Sequence, residues 1–279
     1  MTVVSDVLKL LQGKTRAQSR LRGRIWRLLR GAAAPSDDPL VIFAIPLVSR
    51  RRSSDWDQVT ANLSATLASF LRQTDGNWMA LICGQDRPDD LPDDPRITFL
   101  KARVGDKFYD KGDKRRQLIA HVARRIRRDG YYMQFDADDI LHPEAVAHMR
   151  GDHNGRGYLI SRGYFVHAGA RRLAPLEPPE KPFHLACGSS SAVYVDFRTH
   201  RHDARLLAEH RSHTRVAETC AEWGQPLDEI PFPAALYMVG HGENMIQRRG
   251  KLEDRLGHLD AHEITSPAAR DTILAAFGL

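Results

Sequence analysis

Two hydrophobic periods alternate along the first half of the chain. Leu40 to Leu47 is an almost unbroken apolar run closed by Pro46 and the polar stretch Ser49 to Ser54, which predicts a strand buried on both faces. Trp56, Val59, Leu63, Leu67 and Phe70 then recur at helical spacing, and Asp55 stands where it can cap that helix. Trp78 to Cys83 reads as a second strand, Ile97 to Leu100 as a short third and Tyr131 to Phe135 as a fourth. Before the fourth, Leu118, Val122 and Ile126 mark one side of a charged helix over Lys114 to Arg128. Strands and helices in this order predict an α/β fold with a single, mostly parallel sheet flanked by helices.

Past Gly151 the pattern loosens. Gly157 to Ala168 has the look of a hairpin, and Ala170 to Lys181 is a Pro-rich excursion. Phe183 to Val195 returns to the sheet through the turn Gly188 to Ser191, and helices are expected over His202 to His210 and Thr214 to Trp223. The simplest division is a basic arm and linker over 1–39, a catalytic body over 40–250 and a C-terminal helical extension over 251–279.

Composition narrows the class. A 42% apolar and 27% charged chain is globular and not disordered. Cys83, Cys187 and Cys220 stand too far apart for a CxxC pair, which argues against a disulfide scaffold or a cysteine-rich zinc site, and Cys83 and Cys187, in apolar surroundings, read as small core residues and not as nucleophiles. No apolar run reaches the roughly 18 residues that a membrane span needs, and the start is too polar for a signal peptide, so a cytoplasmic location is expected.

The net charge of +6 suggests nucleic acid until it is located. Residues 1–30 hold eight basic residues against the single acid Asp6, a local +7 that leaves −1 for everything else. The body therefore lacks the basic surface that nucleic-acid binding requires. Within the arm, Leu21, Ile25 and Leu28 recur at about 3.6 residues among arginines, the composition of a helix at the inner, anionic face of a membrane. A solvated arm, or one packed on the protein's own body, is the other reading.

Candidate chemistry begins where the fourth strand ends. Asp136, Ala137, Asp138 and Asp139 follow it directly, at the carboxyl edge where parallel sheets bind ligands. Carboxylates so close need a compensating cation, and oxygen ligands suit Mg²⁺ or Mn²⁺ completed by substrate phosphates. Asp-x-Asp alone is a common sequence, and an Asp-rich turn would look the same.

Taken in order, Ile45-Pro46, the helix from Trp56 to Phe70, Asp86, Asp113 to Arg116, Phe135 to Asp139, Gly188 with its serines, and His241-Gly242-Glu243-Asn244 resemble the GT-A glycosyltransferases, particularly the family 2-like group. The likeness spans roughly Val41 to Arg249. It implies a GT-A-like fold, a UDP-sugar or another nucleoside-diphosphate sugar as donor, and a glycan or lipid-linked acceptor. Pro46 and Val48 would then wall the nucleotide pocket, with Asp86 at the base or ribose. Lys114 and Arg115 would meet the phosphates, and Asp136 with Ala137 the nucleotide. Asp138 would bind metal, aided by His241 and by Asp139, which could instead orient the acceptor, with Asn244 at the diphosphate or ordering its loop.

Inverting transfer also needs a base, for which Asp228 and Glu229, ahead of Ile230-Pro231-Phe232-Pro233, are the candidates, Asp228 first. Gly188 to Ser191, Arg162 and His184 are candidates for the sugar and acceptor side. The family's Gln-x-x-Arg-Trp-like segment is missing, with Gln247-Arg248-Arg249 only a faint echo, which argues against processive synthesis. Two other readings fit the same acids: a nucleotidyl or phosphoryl transferase, although no G-x-x-x-x-G-K-[ST] loop is present, and a non-catalytic nucleotide-sugar-binding protein.

Overall fold

The computed structural model describes residues 16–31, 34–107, 110–209, 212–244 and 252–279. The faint Gln247-Arg248-Arg249 echo and the first half of the arm lie outside the described residues.

Strands β1 (Leu40–Pro46), β2 (Trp78–Gly84), β3 (Ile97–Lys101) and β4 (Asp129–Gln134) pair in parallel in the order β3-β2-β1-β4. Beyond β4 come β9 (Ser191–Asp196), β6 (Gly157–Leu159) and β10 (Asp228–Glu229), completing seven strands. Only β9 runs against the rest. The expected mostly parallel sheet flanked by helices is therefore what the chain forms. Every residue of β1 is buried, as its continuous apolar run requires.

Helix α2 (Trp56–Leu71) lies on one face, started by Asp55, whose carboxylate accepts from the Gln58 N–H at 3.0 Å. Its Phe70 stacks on Phe43, with ring centroids 3.9 Å apart, and meets Phe135 edge-on at 5.1 Å. That aromatic cluster fixes the residue immediately before the acids. Helix α3 (Lys111–Arg125) starts a turn earlier than the spacing predicts, because Asp113 sits favourably in its first turn instead of ahead of it.

A second sheet, which the sequence pattern does not separate from the first, has the order β5 (Ile140–Leu141), β11 (Ala235–Val239), β7 (Gly163–His167), β8 (Arg172–Leu176). Strand β8 falls inside the Pro-rich excursion. The C-terminal helices α8 (Leu252–His262) and α9 (Pro267–Ala276) cover this sheet, with Ile264, Ile273, Leu274 and Phe277 against Val166, Leu173 and Leu236. The sheet matters because β5 follows the acids directly and β11 runs antiparallel to it, Leu236 opposite Ile140. Continuing that register carries β11 back past Asp139 and delivers the following loop, with His241, to Asp138.

Helix α1 (Arg16–Arg30) packs on α6 (Ala204–Glu209) and α7 (Val216–Glu222). Trp26 is buried and donates from its indole nitrogen to Asp203 at 3.1 Å. Gly23 is needed there: a β-carbon would stand 3.0 Å from Trp223.

The stretch joining α1 to β1 is held by Asp129, which is buried and accepts from the Ser36 N–H at 2.8 Å and the Tyr194 hydroxyl at 2.6 Å. Burial alone would raise the Asp129 pKa, but Ser36, Tyr194 and Arg198 outweigh it and hold it below the usual value. Its stabilising contribution is thus present above the ordinary carboxylate range and fades as pH falls through the lowered folded pKa. Replacing Asp129 by Ala should cost about 3 kcal/mol in urea unfolding at neutral pH, since it orphans several buried donors. The gap to the native chain should narrow below about pH 4.

Candidate active site

The acids emerge from β4 into a loop strapped from beneath by the Gly188 turn. The Asp136 N–H donates to Ser189 Oγ at 2.8 Å, and that hydroxyl donates to Asp139 Oδ2 at 2.6 Å. Cys187 Sγ adds a contact to the same oxygen at 3.0 Å, while the Met238 N–H of β11 reaches Asp139 Oδ1 at 3.3 Å. Gly188 lies against this loop, where a β-carbon would stand 3.1 Å from Asp136 Oδ2. Asp139 is thus wholly buried, with both oxygens engaged. Burial, reinforced by Asp138 and Asp136, pushes its pKa well up, and the Cys187 thiol is pushed up for the same reasons, burial first and then Asp139. All three cysteines are buried thiols, as a core role requires.

Asp136 and Asp138 turn the other way. Asp136 Oδ1 meets Lys111 Nζ at 2.7 Å and Arg115 at 3.9 Å. Burial would raise its pKa, but Lys111, Arg115 and, more weakly, His213 lower it overall, so it is held ionised. Asp138 Oδ2 receives His241 Nε2 at 3.1 Å and the Asn244 amide at 2.7 Å. Asn244 Oδ1 is buried without a hydrogen-bond partner, an acceptor facing nothing that satisfies it. Glu243 anchors the loop between them by accepting from the Ser54 and Asp55 N–H groups, each at 2.8 Å, at the entrance to α2.

His241 is oriented from behind. Gln58 Nε2 donates to Asn62 Oδ1 at 2.8 Å, and Asn62 Nδ2 lies 3.0 Å from His241 Nδ1. With Nδ1 accepting, the proton sits on Nε2 and points at Asp138. The Glu243 N–H also donates to Nδ1, at 3.3 Å, so the other tautomer, with Nδ1–H donating to a reversed Asn62 amide, requires that contact to be given up. Nε2 is then free to ligate a cation.

The donor set fits a divalent ion of the Mn²⁺ or Mg²⁺ kind. Ligand atoms of Asp136, Asp138 and Asp139 lie within 4.8 Å of one another, and an imidazole nitrogen stands beside them. Asp138 and His241 can turn to such an ion without breaking the fold. Asp139 already accepts from Ser189, Cys187 and Met238, and only its Oδ1 has acceptor capacity left over.

The nucleotide-side expectations divide. Pro46 ends β1, half-buried Val48 follows it, and Asp86 after β2 accepts from the Arg50 N–H at 2.8 Å, so these three share the carboxyl edge with Asp136 and Ala137. Lys114 reaches that edge from within the core and does not stand open at it. It is buried, spending its charge on the Leu47 carbonyl at 2.7 Å and Asp110 at 2.9 Å. Lys111, one helical turn earlier and 43% exposed, stands at Asp136 instead. The spacing of Lys111 and Arg115, four apart on one helix face, was the available signal for it.

Asp228 and Glu229 separate as neighbours in a strand must. Asp228 turns back to Arg156 and to the Asn154 amide, which precede β6. Glu229, the last residue of β10, accepts from Ser161 Oγ at 2.6 Å at the carboxyl end of the sheet. His184, whose Nδ1 is buried without a partner, has its pKa lowered by burial against the opposing pull of Glu229.

Among solved structures the chain has distant likenesses. The chain is similar to the crystal structure of S. aureus TarS 1-349, at 11% identity over 86% of this chain and 70% of that one, with a TM-score of 0.44. It is also similar to a crystal structure of 4-diphosphocytidyl-2C-methyl-D-erythritol synthase, at 14% identity over 78% of this chain and 97% of that one, with a TM-score of 0.42. No protein-family profile and no curated protein sequence matches.

Proposed function

We propose that this chain is a metal-dependent glycosyltransferase that moves a sugar from a nucleoside-diphosphate donor to a glycan or lipid-linked acceptor with inversion. The observation that carries the reading is the meeting of Asp138 with His241, from a loop 103 residues away, beside an ionised Asp136 and two cations. That mixture of signs suits a metal diphosphate: acids for the ion, Lys111 and Arg115 for phosphate oxygens.

Pro46, Val48 and Ala137 wall the nucleotide, and Asp86 and Asp136 supply acceptors for base or ribose. Asp138 and His241 hold the ion, while Asp139 stays inside and fixes the loop. A divalent ion held by these residues would supply positive charge to compensate the leaving nucleoside diphosphate. Lys111 and Arg115 steady the same charge from the helix side. Glu229 takes the proton of the acceptor hydroxyl as that oxygen attacks the anomeric carbon opposite the leaving group. Ser161 orients it through one carboxylate oxygen and leaves the other for the acceptor.

A panel of UDP-, GDP-, CDP- and TDP-sugars, each with Mn²⁺, Mg²⁺ or chelator, tests the reading by donor hydrolysis and thermal shift. One nucleotide class should raise the melting temperature and be hydrolysed only when metal is present. Silence across the panel, or pyrophosphate release from a nucleoside triphosphate instead, contradicts it.

A further inference from the structure

Four of the seven exposed large apolar side chains among the described residues lie on the single helix α1: Leu21, Ile25, Leu28 and Leu29, with Leu28 85% exposed. Their spacing of four, three and one places them in one stripe about 100° wide. Gly23, Trp26 and Arg30, which meet the body, lie on the opposite side of the same helix. The stripe is therefore on the side of the helix that the body does not take, with Leu28 at its most exposed point.

Charge decides what covers it. Arg20 and Arg22 pair with Glu222 and Glu209 and hold the helix to the body. Arg24, beside the stripe, and Arg27 have no carboxylate within ion-pair distance among the described residues; Arg27 meets only the Glu222 carbonyl. Residues 1–30 carry +7 while the rest carries −1. A nucleic acid would use the cations and leave four apolar side chains in water. A second copy of the chain would bring like charge against like charge. An anionic lipid surface satisfies both features, taking the apolar stripe between headgroups and the arginines at the phosphates.

We propose that α1 is a docking helix for an anionic membrane surface, on which it lies flat with the Leu21–Leu29 stripe buried in the interface. No helix among the described residues is long and apolar enough to cross a membrane. Because Trp26 and Asp203 fasten α1 to the body, the surface engages the whole protein and not a loose tail.

Co-sedimentation of the full chain with phosphatidylcholine vesicles, and with phosphatidylcholine–phosphatidylglycerol vesicles, tests this. The protein should bind only the anionic vesicles and be released by salt. The combined Leu21→Ser, Ile25→Ser, Leu28→Ser variant should lose binding at least about tenfold while keeping its unfolding midpoint, since none of the three supports the core. Failure of the native chain to sediment with anionic vesicles overturns the proposal. So does undiminished binding by the variant. A native dimer that the variant converts to a monomer would assign the stripe to a second copy instead.

Discussion

Replacing Asp138 by Ala should lower turnover about a thousandfold, roughly 4 kcal/mol at 1.36 kcal/mol per tenfold, and should abolish the dependence of donor binding on metal. The magnitude follows from what Asp138 does. It is the only carboxylate of the three whose oxygens face neither a buried hydroxyl nor a cationic side chain, and His241 and Asn244 both converge on it. Its side chain is partly exposed, so its loss leaves the core intact and the melting temperature nearly unchanged. Asp139→Ala should behave in the opposite way. Removing a buried carboxyl group that satisfies Ser189 and Met238 should destabilise the fold, an effect visible in thermal unfolding without any substrate.

Glu229→Gln is the second substitution of large effect. If Glu229 takes the acceptor proton, its isosteric amide should reduce kcat by about 10²- to 10⁴-fold while leaving donor affinity within error. Asp228→Asn is the paired control, because Asp228 faces Arg156 and Asn154 on the far side of the strand. It should alter activity little. A large loss with Asp228→Asn and none with Glu229→Gln would exchange their roles.

The features most legible in sequence were those fixed by local pattern. The apolar run of β1, the i, i+4, i+7 face of α2 and the strand ahead of Asp136 are each dictated by period and burial, and they lie where the pattern puts them. What sequence could not supply was direction around an element. Lys114 and Lys111 are both lysines near the same helix start, and only the N-terminus at Lys111 decides which faces the acids. Asp138 and Asp139 are adjacent and chemically alike, yet one opens to solvent and the other is enclosed by Ser189, Cys187 and β11.

Long-range pairing was the other gap. Nothing local states that β11 pairs with β5, the register that carries His241 to Asp138, or that Asn62 of α2 stands behind the imidazole. His241 was legible only through its place in an ordered set of motifs. The basic arm shows the same limit from another side. Its leucine spacing predicted a helix with an apolar stripe, but which side of that helix the body would take depended on Gly23 and Trp26 meeting Trp223 and Asp203.

In the proposed function a metal and a nucleoside diphosphate share one site built on Asp138. Calorimetric titration of Mn²⁺ into the full chain, with and without the nucleoside diphosphate selected by the donor panel, measures that directly. Nucleotide should tighten Mn²⁺ binding at least about tenfold, Mn²⁺ should tighten nucleotide binding by the same factor, and Asp138→Ala should remove the coupling in both directions. Nucleotide binding of equal strength in chelator and in Mn²⁺, or coupling that survives in Asp138→Ala, would contradict it.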